Sequence, residues 1–177
     1  IDDLKSLESD PAALENLQIL APVINPAWGT YQLNSYLQSW VGNNINRKGD
    51  YQEIGTQKIY KNDKVIQLQN ILRESYPSKE KYPLSNGQIG FVKSINKGHI
   101  NVMYVGIPHE TFGFRGDKGE DQDAAIELAY AITIHKSQGS DFDTVFVVLP
   151  KTGRILSREL IYTALTRAKK RVVLLVQ

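Results

Sequence analysis

The sequence predicts an α/β protein in which a parallel sheet, covered by helices on both faces, is interrupted by a small antiparallel β-barrel. Continuous apolar runs such as Val145–Leu149 are typical of buried parallel strands, and helical patterns lie between them. The middle of the chain differs, because short β-branched or aromatic segments alternate there with Asn-Gly, Asn-Lys-Gly and Pro turns. The first pattern predicts the sheet and the second predicts the barrel.

The first α/β segment begins with the apolar run Leu17–Pro22, which predicts a buried strand that ends at proline. Apolar and aromatic residues then recur at three- and four-residue spacing from Thr30 to Val41, so we expect a helix with one face on the sheet. The Asn- and Gly-rich stretch 42–49 ends this helix.

Four short strands are expected in the middle of the chain, at residues 64–68, 88–95, 99–105 and 110–114. Residues 73–86 contain two prolines and five charges, and they predict a long loop. The aromatic side chains of this region could stack on bases, but filling a small barrel is their more typical use; they are Phe91, Tyr104, Phe112 and Phe114.

After the acidic stretch Asp117–Asp123 the α/β pattern returns. It predicts strands at residues 127–133, 144–149 and 171–176, a short helix from His135, and a helix over 157–168 with Ser157 as its N-cap. The domain limits that follow are 1–60 and 123–177 for the α/β domain and 61–122 for the inserted barrel.

Composition narrows the class of protein. A chain of 177 residues with 41% apolar content can bury one core, with or without an insertion. It has no run of eighteen apolar residues and no secretory signal pattern, which predicts a soluble cytoplasmic protein without a membrane partner. The absence of cysteine and the wide spacing of three histidines argue against a metal site. A net charge of +2 does not by itself indicate nucleic-acid binding.

Six polar side chains occur within the eight residues Thr133–Ser140, directly after a predicted strand. Ligands of open parallel sheets bind at such strand ends, where backbone N–H groups are also available. Thr133, His135, Lys136 and Gln138 are therefore candidate ligand-binding residues, and Gly139 allows a close approach. The alternative is that these residues bind no ligand and only stabilise the local structure. In that case Thr133 and Ser137 cap a helix, Lys136 is solvated, and His135 is a buried polar group with its hydrogen bonds satisfied.

Arg167 lies on the last predicted helix, beside the small residues Ala164 and Ala168. Its guanidinium stays charged and could reach a phosphate held by a neighbouring domain. It could equally form an ion pair within the chain, with Glu159 or with an acid of the stretch Asp117–Asp123. The residues alone leave both roles open.

Three motifs in order resemble those of superfamily 1 helicases. Residues 129–143 resemble the fifth signature motif, and residues 162–169 resemble the sixth. His135-Lys-Ser-Gln-Gly-Ser140 followed by Asp141-Phe142, together with Leu156-Ser-Arg-Glu-Leu160, is similar to the RecD-like branch. Residues 20–38 resemble the fourth motif, with Ile24, Asn25 and Pro26 as departures, and residues 62–67 and 86–90 are similar to the entry into an inserted SH3-like barrel.

The resemblance implies the C-terminal, second RecA-like motor domain of an ATP-dependent DNA helicase, in which Arg167 is the arginine finger. It also implies that Gln138, Gly139 and Asp141 line the nucleotide site, with Asp141 near the ribose, and that Thr133, His135 and Lys136 contact DNA. ATP and Mg²⁺ would be held mainly by the N-terminal RecA-like domain of the same polypeptide, and single- and double-stranded DNA would be the partners.

No G-x-x-x-x-G-K-[ST] sequence and no apolar strand ending in Asp-Glu occurs, so we expect the isolated chain to be inactive as an ATPase. An alternative function is a nucleic-acid-binding or protein-docking module that has lost motor activity. A third candidate function, a Ser/His/Asp hydrolase, is disfavoured because no G-x-S-x-G sequence is present.

Overall fold

The computed structural model describes residues 14–23, 29–44, 49, 51–96, 98–115, 125–150 and 157–176. The chain divides into two compact units, which we call unit 1 (residues 1–47 and 130–177) and unit 2 (residues 48–129). The domain limits at 60/61 and 122/123 stay a prediction. None of the helices in the described ranges has the length and apolar character that crossing a membrane requires.

The described residues form helices and strands in the following order along the chain: β1 (Leu17–Ala21), α1 (Thr30–Asn44), β2 (Tyr51–Ile54), β3 (Gln57–Tyr60), β4 (Lys64–Gln67), β5 (Ile71–Tyr76), β6 (Lys81–Leu84), β7 (Ile89–Asn96), β8 (His99–Tyr104), β9 (Thr111–Arg115), β10 (Ile126–Leu128), β11 (Ala131–Thr133), β12 (Phe142–Leu149), α2 (Arg158–Leu165) and β13 (Ala168–Val176).

Unit 1 contains a parallel sheet with the strand order β11-β1-β12-β13. Its first three strands are almost entirely buried, as their apolar sequences predict. Helix α1 contacts β11, and helix α2 contacts β12 and β13. The Ser157 hydroxyl accepts a hydrogen bond from the Leu160 N–H at 3.2 Å, which confirms the predicted N-cap of α2.

Strand β13 differs from the prediction of a sheet covered on both faces. It lies at the end of the described strand order and pairs with β12 alone. Its apolar residues Leu174, Leu175 and Val176 are 51%, 41% and 72% exposed, whereas Val145 and Val147 in β12 are fully buried. The prediction of full cover is therefore right for β12 and wrong for β13, because the consecutive residues Leu174 and Leu175 point to opposite faces of the sheet and both are exposed.

The pairing of β12 with β13 contains an irregularity near its start. Phe142 pairs with Ala168 and Thr144 pairs with Arg171, so two steps along β12 match three steps along β13. One extra residue is therefore accommodated around Lys169 and Lys170, which is a β-bulge.

Unit 2 contains a seven-stranded antiparallel sheet with the order β10-β4-β7-β8-β9-β5-β6, and a separate hairpin of β2 and β3. The aromatic side chains Tyr104, Phe112 and Phe114 are buried in its core, with centroids 5.7 Å apart for Tyr104 and Phe112 and 6.4 Å for Tyr104 and Phe114. The predicted use of these rings in packing is confirmed.

Two predicted elements in the middle of the chain are wrong. Residues 73–86 do not form a long loop, because β5 and β6 pair there as an antiparallel hairpin. The predicted strand 127–133 is two strands: β10 pairs with β4 in unit 2, and β11 pairs with β1 in unit 1. The apolar run continues across the break at Ala129 and Tyr130, both of which are buried, and this continuity hides the change of sheet. The acidic stretch 117–123 and residues 24–26 lie outside the described residues.

Candidate functional site

Strand β11 ends in a turn over residues 134–139, which we call the β11 turn, instead of the predicted helix from His135. The turn begins in the sheet, since the Ile134 N–H donates to the Ala21 carbonyl of β1 at 3.1 Å. Ile134 and Ser137 are fully buried, whereas His135 and Gln138 are exposed. The turn therefore buries the side chains of Ile134 and Ser137 and presents those of His135 and Gln138 to solvent.

Hydrogen bonds within the β11 turn occupy most of its backbone donors. The Ser137 N–H donates to Thr133 O at 3.2 Å, the Gln138 N–H to His135 O at 3.2 Å and the Ser140 N–H to Ser137 O at 3.1 Å. The Lys136 N–H donates to Thr133 Oγ1 at 3.3 Å. These four N–H groups are not available to a ligand, so the expectation of free backbone donors at this strand end is wrong for them.

The Thr133 and Ser137 hydroxyls stabilise the local backbone. Thr133 is buried and accepts from Lys136, while the Ser137 hydroxyl donates to the Ile134 carbonyl at 2.7 Å. The local alternative expected both residues to cap a helix. Thr133 accepts from Lys136 as a cap would, but no helix follows, and Ser137 donates to a carbonyl, so that expectation is wrong in its detail. Lys136 is half-buried, and Gly139 has φ +86°, a left-handed conformation that favours glycine.

Arg167 lies next to the β11 turn. Its Nη1 donates to the Ser140 carbonyl at 3.2 Å and approaches Asp141 Oδ1 at 3.5 Å. The two other nitrogens bind α2 and its C-terminus: Nε donates to Thr163 O at 3.3 Å, and Nη2 to Thr166 Oγ1 at 3.3 Å. The side chain is 21% exposed, so the guanidinium is oriented by four contacts and still reaches solvent.

Glu159, one of the two candidates that the sequence indicated, does not pair with Arg167 in the described part of the chain, and the other candidate, the acidic stretch 117–123, lies outside that part. Hydrogen bonds from the Ser157 hydroxyl and from the backbone of Glu159 lower the pKa of the Glu159 carboxyl, which lies in the first turn of α2. Asp141 takes the ion pair with Arg167 instead. A residue predicted to line the nucleotide site thus contacts the predicted arginine finger directly.

Sheet register brings the two motifs together. The Phe142 N–H donates to the Arg167 carbonyl at 2.8 Å, and Phe142 pairs with Ala168. Lys170 and Asp143 form a second ion pair at 2.7 Å across the same two strands. The site residues Gln138, Gly139, Asp141 and Arg167 are therefore held in one region of unit 1 by backbone pairing.

Asn34 is a positioning residue whose role the sequence did not indicate. Its Nδ2 donates to Ala131 O and its Oδ1 accepts from the Ala131 N–H, both at 2.8 Å, and the side chain is buried. The amide thus pairs with β11 in the way a neighbouring strand would. The available signal was an asparagine within the apolar pattern of α1.

The comparisons with known proteins concern the same part of the chain. Residues 128–175, which include the β11 turn, β12, α2 and most of β13, match the model of the UvrD-like helicase C-terminal domain. The chain contains a superfamily 1 helicase C-terminal domain. This helicase domain is also similar to the ATP-dependent RecD2 DNA helicase of Deinococcus radiodurans, with 30% identity over 156 residues, 88% of this chain and 19% of the relative.

A second relative is an uncharacterized protein of Methanocaldococcus jannaschii, with 31% identity over 176 residues, 92% of this chain and 15% of the relative. The helicase domain thus spans less than a fifth of the length of these two relatives. Its fold is similar to that of the Pif1 helicase from Bacteroides in a complex with ADP-AlF3 and single-stranded DNA. That likeness has a TM-score of 0.59 and 17% identity, and it covers 98% of this chain and 47% of the other. It supports a helicase-like α/β fold.

Proposed function

We propose that this chain is the second RecA-like motor domain of an ATP-dependent DNA helicase, with Arg167 as its arginine finger. The observation that carries the proposal is the position of Arg167: a guanidinium oriented by three neutral acceptors, partly exposed, and joined to the β11 turn through Ser140 and Asp141. A pre-oriented cation at a strand end suits the charge that develops on a transferred phosphoryl group.

The nucleotide side of this domain would consist of Gln138, Gly139 and Asp141, which follow one another along the chain beside Arg167. ATP and Mg²⁺ would be bound mainly by the N-terminal RecA-like domain of the same polypeptide, and Arg167 would complete the site from this side. We place the motor domain at residues 1–60 and 123–177 and an SH3-like barrel at 61–122, in a cytoplasmic protein.

The DNA side would use Thr133, His135 and Lys136. His135 is exposed and Lys136 is half-buried, so both can approach a phosphate backbone. The Thr133 hydroxyl is buried and accepts from the Lys136 N–H, and its contribution would therefore be to hold the backbone of these residues in place. Single-stranded DNA is the partner that we propose for this surface, and the double-stranded form is the substrate for unwinding.

The decisive experiment replaces Arg167 by alanine in the full-length protein. We expect ATP turnover at saturating single-stranded DNA to fall by about 10³–10⁵, because the guanidinium stabilises charge in the transition state. Single-strand affinity, measured by fluorescence anisotropy, should stay within a factor of about two. Lys170→Ala is the matched control, since it removes a cation and an ion pair from the same strand region.

The alternative, a nucleic-acid-binding or docking module without motor activity, gains some support from the ion pair between Arg167 and Asp141, because a structural arginine would also need such a partner. Equal turnover of the Arg167→Ala and Lys170→Ala proteins would favour this alternative and remove the arginine-finger role.

A further inference from the structure

Two ion pairs cross from the start of β12 to the start of β13. In one, Arg167 Nη1 lies 3.5 Å from Asp141 Oδ1, and in the other, Lys170 Nζ lies 2.7 Å from Asp143 Oδ2. The longer pair involves Arg167, whose other hydrogen bonds within the described ranges go to neutral oxygens of Ser140, Thr163 and Thr166. Asp141 is therefore the charged partner of a guanidinium that neutral acceptors already orient.

We propose that Asp141 is the counter-ion of Arg167 and competes with a nucleotide phosphate for it. The inference rests on the proposed role of Arg167 as the arginine finger. It assigns the contribution of Asp141 at the nucleotide site to its contact with Arg167, in place of a bond to the ribose. The Asp141 side chain is 53% exposed and its contact with Nη1 is long, so an approaching phosphate can replace it.

Electrostatics determines whether Arg167 binds the phosphate or the Asp141 carboxylate more strongly. A phosphate forms stronger, charge-assisted hydrogen bonds with a guanidinium than an exposed carboxylate at 3.5 Å does. Loss of the carboxylate frees one N–H of Nη1 for the phosphate and removes a negative charge that repels it. Both effects strengthen nucleotide binding. If the Asp141 carboxylate instead accepted a hydrogen bond from the ribose, its loss would weaken nucleotide binding.

The test compares Asp141→Asn with the wild type in the full-length protein. We expect KM for ATP to fall by about two- to five-fold, the range of an exposed ion pair. We expect kcat to stay within about twofold, because three neutral acceptors still orient Arg167. The difference in KM should shrink at high salt, which screens the pair in the wild type. Unfolding temperatures of both proteins check that the exposed substitution leaves the fold intact.

Asp143→Asn is the matched control, because it removes the neighbouring ion pair with Lys170 and should leave KM unchanged. A double-mutant cycle with Arg167→Ala, using a fluorescent non-hydrolysable ATP analogue, isolates the part of the effect that acts through Arg167. We expect most of the gain in affinity from Asp141→Asn to disappear in the Arg167→Ala background.

A KM that is unchanged or raised in Asp141→Asn would overturn the inference, and so would a gain of equal size in the Arg167→Ala background. These outcomes are distinct from failure of the proposed function. If Arg167→Ala retains full turnover, the arginine-finger role fails whatever Asp141→Asn does. If Arg167→Ala loses turnover while Asp141→Asn does not lower KM, the inference about Asp141 alone fails.

Discussion

The parallel sheet of unit 1 and the antiparallel sheet of unit 2 use buried polar side chains in different ways. In unit 1, Asn34 binds the backbone of Ala131 at the start of β11, and Ser137 binds the carbonyl of Ile134 in the β11 turn. In unit 2, the Tyr104 hydroxyl hydrogen-bonds the Gln67 side chain at 2.5 Å, inside a core of aromatic rings. Polar groups position a candidate site in unit 1, whereas in unit 2 they complete the packing.

The two units also differ in the kind of residue that an experiment on stability or on activity would replace. The buried rings Tyr104, Phe112 and Phe114 belong to unit 2, and the exposed polar residues His135 and Gln138 belong to unit 1. Trp40 is in unit 1 and the sequence of unit 2 contains no tryptophan, so tryptophan fluorescence does not report on unit 2, whereas circular dichroism reports on both units. Substitutions in the two units can therefore be followed separately.

The largest expected effect on stability is in unit 2. Phe112→Ala removes a fully buried ring that contacts Tyr104 and Tyr82, and we expect a loss of about 3–5 kcal/mol in the free energy of unfolding. Urea denaturation followed by circular dichroism measures it. Leu72→Ala is the control, because Leu72 is 66% exposed and should change stability by less than about 0.5 kcal/mol. A loss below about 1 kcal/mol for Phe112→Ala would mean that the rings do not form a tight core.

A smaller loss is expected in unit 1 from Asn34→Ala. The substitution removes two hydrogen bonds to the backbone of Ala131, each with a net contribution of about 0.5–1.5 kcal/mol, so we expect a total of about 1–3 kcal/mol. Tryptophan fluorescence during urea denaturation measures the change. Gln32→Ala, an exposed position on the same helix, is the control. If both variants unfold at the same urea concentration, the amide does not stabilise β11.

The smallest effects on stability are expected when a glycine is replaced in each unit, Gly139 in unit 1 and Gly113 in unit 2. Gly139→Ala places a side chain at φ +86°, where the left-handed conformation costs about 1–2 kcal/mol, although its Cβ meets no atom within 4 Å. Gly113→Ala in β9 would place its Cβ at an ordinary 3.5 Å from Asn101 Oδ1, and we expect it to be neutral or slightly stabilising. Denaturation midpoints of the two variants test this difference, and a neutral Gly139→Ala would contradict the strain argument.

Sequence patterns predicted a buried strand and the start of a helix. Val145–Leu149 is a buried strand because its neighbours cover it, and Ser157 caps α2 as its position before an amphipathic run indicated. The hairpin of β5 and β6 escaped prediction because its charged residues, such as Glu74 and Lys81, pair across an exposed face and resemble a loop in sequence.

The geometry of the site depended on information that local patterns do not contain. The contact between Arg167 and Asp141 joins residues 26 positions apart, and it exists because Phe142 pairs with Ala168. The β11 turn was mistaken for a helix because Thr133 and Ser137 suit a helix cap and a tight turn equally well. Which residues would gather at the site could be predicted, but which hydrogen bonds they would use could not.

Because of the β-bulge between β12 and β13, the number of residues from Ala168 to Arg171 determines which residues of β13 share a face. Paired residues of neighbouring strands share a face, so Phe142 with Ala168 and Thr144 with Arg171 place Ala168 and Arg171 on one face, three residues apart. A regular strand would place them on opposite faces. Lys169 and Lys170 lie within this irregularity, so a gain or loss of one residue there would change which residues of β13 share a face with Phe142 and Thr144.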